Sequence, residues 1–290
     1  MWVADWFGWM NNKMGGDLEK IRTVGEYFIE VWKASGMDTS NVEFLWSKDV
    51  MKDEKYWKTV IQIARQATLQ RVIRCSQIMG RAETDNLTAA QIFYPCMQAT
   101  DIFHLNVDIA QLGIDQRKVN VLAREIGPKI GLGKPVAVHH HMLMGLTTPV
   151  AAETLDKADR TVALKMSKSN PDSAIFMDDV PEEVLRKISK AYCPEKQVHE
   201  NPILEYCKYL VFEKFSSITI KRPAKFGGNK EICSYDELVQ VYSQGLIHPL
   251  DLKTAVADYV NQILEPVQKK LSKGKGAKLA EQVRSFQVTR

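Results

Sequence analysis

The sequence has no apolar run approaching the roughly 20 residues of a membrane-spanning helix, which argues against a membrane protein. Its five cysteines, Cys75, Cys96, Cys193, Cys207 and Cys233, are odd in number, scattered and free of any C-x-x-C pair. That pattern argues against a disulfide framework or a zinc site, and fits a reducing, cytoplasmic compartment. Internal repeats and long low-complexity segments are missing, so nothing suggests a solenoid or a disordered array. The opening "MWVADWFGWM" lacks the basic start and the small-residue cleavage site of a secretory signal.

What is present belongs to an ordinary globular chain. Of 290 residues, 45% are apolar and 26% charged, and the length suits two domains. The net charge of +4 permits a nucleic-acid partner without demanding one. Acid is absent from "KKLSKGKGAK", residues 269–278, where Gly274 and Gly276 imply flexibility. Two readings stay open for this basic tail: a solvated end, or an arm that contacts phosphates.

The first half alternates helix and strand. "WVAD" and "VEFLWS" read as strands flanking the amphipathic helix "DLEKIRTVGEYFIEVWKASG". A helix is expected from about Lys55 to Met79, then one interrupted or entered at Pro95, then the strand "VDIAQLG", a helix closed by Gly127, and the strand "KPVAVHHHMLMG". Such alternation predicts a parallel sheet with helices on its faces. From Pro181 onward helices dominate, broken by a short hairpin in "ITIKRPAKFGGNKEI". The expected boundary near 178–182 divides the chain into domains 1–180 and 181–290.

Three groups of residues carry chemistry. Tyr94, Gln98 and Asp101 follow spacings of four and three, so one helical face offers a phenol, an amide and a carboxylate. Half-buried, that face suits a small polar molecule with a hydroxyl and an ammonium group; left exposed, it is an ordinary polar face. Gly113, Asp115 and Gln116 follow a strand at its carboxyl end, where open parallel sheets bind ligands; a glycine turn with a capping aspartate reads equally well. Lys165, Ser167, Lys168 and Ser169 share one short polar turn, which is either solvated or shaped to follow the charge of a pyrophosphate leaving group. Three successive histidines at 139–141 point to alternate faces of a strand and are discounted as a metal site, so no metal ligand is expected.

The turn "KMSKS" is the signature loop of class I aminoacyl-tRNA synthetases. With "WVADWFGWMNNKMGGDLEKIR", "IFYPCMQATDIFHL", "VDIAQLGIDQRKVNVLARE", "IKRPAKFGGNKE" and "LIHPLDLKTAVADYVNQILEPV", nearly the whole chain resembles the tyrosyl-tRNA synthetases of archaeal and eukaryotic cytosolic type. The resemblance implies an α/β fold, with a Rossmann-like parallel sheet followed by a mainly helical anticodon-recognition domain. It implies L-tyrosine, ATP with magnesium as co-substrate, and tRNA(Tyr) as partners, a homodimer, and no permanently bound cofactor. Asp101 would accept the substrate's phenolic proton, and Tyr94, Gln98 and Gln116 would surround its amino group. Gly113 and Asp115 match the ribose-holding segment of the ATP site, and Lys165, Met166, Ser167, Lys168 and Ser169 match its phosphate loop. Lys165 and Lys168 would stabilise the pyrophosphate. Phe226 and His248 would stack on the anticodon, and Asp251 would hydrogen-bond its first base.

The family's earlier His-x-Gly-His type signature, and a further tyrosine that contacts the substrate phenol, do not occur in this sequence. The nucleotide-binding fold is therefore expected to be N-terminally incomplete, and the alternative to a tyrosine-tRNA ligase is a non-catalytic tRNA-binding or regulatory fragment. If the loop acts on the transition state, Lys168→Ala slows adenylate formation at least about tenfold while tyrosine binding changes little. Pre-steady-state kinetics check this, and equal losses in both would remove Lys168 from the role.

Overall fold

The fold comes from a computed structural model that describes residues 1–75, 86–149, 160, 164–166 and 170–286. By packing, the chain divides into two compact units: residues 1–29, 38–142 and 279–290, and residues 30–37 and 143–278.

The first unit is built on two βαβ elements. Strand β1 (Trp2–Val3) leads through helices α1 (Asp5–Met10) and α2 (Leu18–Ala34) to β2 (Leu45–Trp46), which pairs with it in parallel. The link is fixed by Asp5, which is buried at 2% exposure. Its carboxylate accepts from the Ser47 hydroxyl, from Lys48 N at 3.2 Å and from Arg22 Nε at 3.1 Å. One acid thus ties β1 to the short helix α3 (Ser47–Val50) and to α2.

Helix α4 (Glu54–Gln66) is capped by Asp53, whose side chain accepts from Lys55 N at 2.9 Å. It buries Tyr56, Val60 and Ile63 at spacings of four and three, one stripe of an α-helix. The expected continuous helix to Met79 is broken at Ala67. There the extended Thr68 accepts from Arg71 N and starts α5 (Leu69–Ile73), because a hydroxyl cap offers the freed amides a partner that another helical turn would otherwise supply. The remainder of that expected helix, from residue 76, lies outside the described residues.

Helix α6 (Ala89–His104) opens with a capping box in which Thr88 Oγ1 accepts from Gln91 N and Gln91 Oε1 accepts from Thr88 N at 3.0 Å. Pro95 sits inside this helix rather than at its entrance; the ring removes one amide donor, and the flanking turns keep the helix continuous. Strand β3 (Ile109–Gly113), helix α7 (Arg117–Ile126) and β4 (Val136–His140) make the second βαβ element, with β3 and β4 parallel and Gly113 opposite His140. The core gathers Phe7, Tyr56, Val60, Ile63, Met97, Ile102, Val119 and Leu122. These elements are the Rossmann-like parallel architecture expected from the sequence.

The second unit is mainly helical. Helix α8 (Pro181–Lys190) starts with proline and two acids, which suit its positive end. Helices α9 (Pro202–Tyr206) and α10 (Phe212–Lys214) are joined by a π-helical turn at Cys207–Val211. The hairpin is present, with β5 (Ile218–Ile220) antiparallel to β6 (Lys230–Ile232), followed by α11 (Tyr235–Ser243) and the 23-residue α12 (Pro249–Leu271). The basic stretch is not a flexible tail: Gly274 takes a left-handed φ of 63° and opens helix α13 (Gly274–Arg284). Gly274 makes the corner between α12 and α13, and Gly276 lies within the helix.

Removing the acid that joins β1, α2 and α3 leaves a buried hydroxyl and an amide without their acceptor. Asp5→Ala is expected to lower unfolding free energy by about 3 kcal/mol, read by urea denaturation. A loss within experimental error would contradict this account of the joint.

Candidate active site

Helix α6 delivers Tyr94, Gln98 and Asp101 from one continuous stretch of helix, so the spacing read in the sequence is realised as one face. Asp101 is 6% exposed. Its Oδ1 accepts from Tyr56 Oη at 2.8 Å, reaching across from α4. Tyr56 is fully buried, and its hydroxyl also lies 3.2 Å from the Met97 carbonyl. Burial pushes the Asp101 carboxyl up to about 8; the Tyr56 hydrogen bond and the Trp2 indole act in the opposite direction. The Trp2 N–H favours the ionised acid without reaching hydrogen-bond geometry. Tyr94, packed edge-on against Phe7 at 4.8 Å, is held firmly in its neutral form, first by burial and then by the charges of Asp101 and Asp115.

Gln98 and Gln116 meet directly. Gln98 Nε2 donates to Gln116 Oε1 at 3.0 Å, which leaves the Gln98 carbonyl and the Gln116 amide to face other polar groups. Gln116 comes from a 3-10 turn, Ile114–Gln116, set between β3 and α7 at the carboxyl end of β3. Beside it, a methyl group on Gly113 would lie 2.7 Å from Asp115 Oδ1, 3.2 Å from Met142 Sδ and 3.6 Å from His140 Nε2. The turn is packed so closely that only glycine fits it, since any side chain would run into Asp115 Oδ1. On the adjoining strand His139 Nε2 pairs with Asn120 Nδ2 at 2.9 Å.

In the second unit, described residues on both sides of the lysine-bearing stretch are tied to one backbone segment. Gly145 N donates to Leu164 O at 2.7 Å and Leu146 N to Ser173 O at 2.9 Å, so successive residues hold both ends. Lys165 bridges to Met144, and the Met166 sulfur lies 3.9 Å from Tyr206 Oη. Ser167, Lys168 and Ser169 lie outside the described residues. Phe226 ends a 3-10 turn and is 61% exposed, with Lys225 Nζ over its ring at 4.9 Å. His248 caps α12, its Nδ1 accepting from Leu250 N at 3.2 Å, and Asp251 stands in the first turn.

Two residues of these sites carry no signal in the sequence. Tyr56 is one apolar position of a helical stripe until the fold sets it against Asp101. Arg222 donates to Gly228 O at 3.0 Å and Leu246 O at 2.7 Å, tying the Phe226 loop to the segment ahead of His248. Nothing about a basic residue in a hairpin announces that role.

A helix face ending in a buried acid, a glycine turn after a parallel strand and the KMSKS sequence agree with an aminoacyl-tRNA synthetase of class I. The family model for tRNA synthetases class I (W and Y) matches residues 1–265, and the chain belongs to that family, on its tyrosyl branch. It is 51% identical to the cytoplasmic tyrosine-tRNA ligase 1 of Arabidopsis thaliana over 294 residues, covering 100% of this chain and 73% of that protein. Its fold is similar to the tyrosyl-tRNA synthetase of Pyrococcus horikoshii complexed with L-tyrosine, with a TM-score of 0.90 at 39% identity, covering 98% of this chain and 81% of that one. The Leishmania major enzyme in complex with tyrosinol gives a TM-score of 0.85 at 43% identity, over 98% of this chain and 53% of that one.

The raised Asp101 carboxyl has a consequence for stability. An acid that titrates near 4 when unfolded and at about 8 when folded favours folding fully below the lower value, and loses that contribution as pH rises to the upper one. Asp101→Asn is therefore expected to flatten the fall in stability between about pH 4 and 8. Urea midpoints across that range check it, and an unchanged slope would show that Asp101 does not titrate there.

Proposed function

We propose that this chain activates L-tyrosine with ATP to tyrosyl adenylate, releasing pyrophosphate, and transfers the tyrosyl group to tRNA(Tyr) in the cytoplasm. The observation that carries the reading is the buried Asp101 on the same helical face as Tyr94 and Gln98, with Gln116 bonded to Gln98. A carboxylate in that setting accepts a phenolic proton, and a substrate without the hydroxyl leaves it unpaired, which is costly in a buried site. Rejection of phenylalanine by a tyrosyl enzyme is itself a well-known example of this effect. Tyr94 and the Gln98 carbonyl offer oxygen atoms that an ammonium group requires, and Gln116 Oε1 keeps a second lone pair beside its bond from Gln98.

ATP would bind at the carboxyl end of β3, where Gly113 and Asp115 stand and Asp115 can accept from the sugar hydroxyls. Magnesium would travel with the phosphates, held by them and by water rather than by a protein cage. Lys165 and Lys168 supply positive charge to the departing pyrophosphate. In this reading residues 1–180 form the catalytic domain and 181–290 the anticodon domain, with Phe226 and His248 as exposed stacking surfaces and Asp251 as a hydrogen-bond acceptor. The working protein is a homodimer.

Tyrosine-dependent exchange of labelled pyrophosphate into ATP tests the chemistry. Exchange is expected with tyrosine and not with phenylalanine. Folded protein that binds tRNA(Tyr) and gives no exchange would instead be a tRNA-binding chain without ligase activity.

A further inference from the structure

Asp101 is held in place by a second tyrosine, and that arrangement extends the proposed function, on which it rests. The Tyr56 hydroxyl has one proton and two acceptors within reach, Asp101 Oδ1 at 2.8 Å and the Met97 carbonyl at 3.2 Å. The shorter contact is to the group able to carry full charge, and charge-assisted hydrogen bonds are about twice as strong as neutral ones. The hydroxyl therefore donates to Asp101. Tyr56 cannot turn away to water, since it is fully buried and packed in the stripe with Val60 and Ile63. Its ring also meets His104 edge-on at 5.4 Å, and His104 lies 3.7 Å from Asp53, which caps the same helix α4.

A carboxylate has about four acceptor positions on two oxygens. With one oxygen engaged from α4, rotation of the group about its terminal bond is stopped, and the remaining lone pairs keep one direction. We propose that Tyr56 is a positioning residue that orients Asp101 and favours its ionised form, the form able to accept a substrate phenol, thereby setting preference for tyrosine over phenylalanine. Tyr56 does this without touching the substrate itself.

The groups that face Asp101 fit this assignment. From α4 it meets Tyr56; from β1, the Trp2 indole; along its own helix, Tyr94, which is kept neutral beside it. No cation opposes the buried charge in that set. Hydrogen-bond donation from Tyr56 is then the main local force that opposes burial and favours the ionised acid, since the Trp2 N–H falls short of hydrogen-bond geometry.

The test compares the whole chain with Tyr56→Phe, which removes one oxygen and keeps the ring. The Asp101 carboxyl is followed by carbon-13 NMR across pH, with Asp101→Asn identifying its resonance, and the binding of L-tyrosine and L-phenylalanine is measured by calorimetry at pH 7. In Tyr56→Phe the titration midpoint is expected to move upward by about one unit, and the preference for tyrosine to fall roughly tenfold. Val60→Ala, on the same buried stripe, should lower stability and leave both readings where they were. A folded Tyr56→Phe protein with unchanged midpoint and unchanged preference overturns the assignment. The same holds if Val60→Ala shifts both as much, because the effect would then be general loosening. Should the unaltered chain show no preference for tyrosine, the proposed function falls and the specificity role of Tyr56 with it; the midpoint then still reports separately whether Tyr56 holds the acid.

Discussion

A carboxyl group is costly to carry into a protein interior, and the first unit is arranged around the way Asp101 is received there. The acid is placed by α6, its hydrogen-bond donor by α4, and the indole beside it by β1. Those three elements must pack in one register for Tyr56 Oη to reach Oδ1. The register follows from local chemistry on each element: Asp53 starts α4 at a fixed residue, the Thr88 and Gln91 capping box does the same for α6, and Asp5 anchors the end of β1. Shifting α4 by one residue would turn its buried stripe and carry Tyr56 about 100° away from the acid. Fold and site thus share one constraint.

The ligand side of the site follows a different logic. Around Gly113 the packing is tight: Asp115, Met142 and His140 come so close that a methyl group there would run into Asp115 Oδ1. In the second unit two neighbouring backbone amides, Gly145 and Leu146, bond to Leu164 O and Ser173 O on either side of the lysine-bearing stretch.

Much of this is legible in the sequence because it rests on period and punctuation. The face of Tyr94, Gln98 and Asp101 needs only helical spacing, the strands β3 and β4 only short apolar runs between glycines, and the hairpin only its turn residues. The chain from Lys55 onward misleads because apolar positions keep helical spacing across Thr68, and a cap in mid-pattern looks like any other polar residue. Pro95 suggests a boundary because proline cannot donate, yet a helix packed on both sides tolerates one missing bond. Residues 269–278 suggest a loose end because their glycines and lysines suit solvent, whereas Gly274 makes a corner. Tyr56 and Arg222 are invisible for a shared reason: each acts on a group far away in sequence, across 45 residues to Asp101 and 24 to Leu246.

The most direct test of the account is a crystal structure of the chain with L-tyrosine. It should show the phenolic oxygen within hydrogen-bond distance of Asp101, the Tyr56 hydroxyl still on the other side of that carboxyl, and the ammonium group among Tyr94, Gln98 and Gln116. Tyrosine bound with its phenol away from Asp101, or bound at another site altogether, would contradict it.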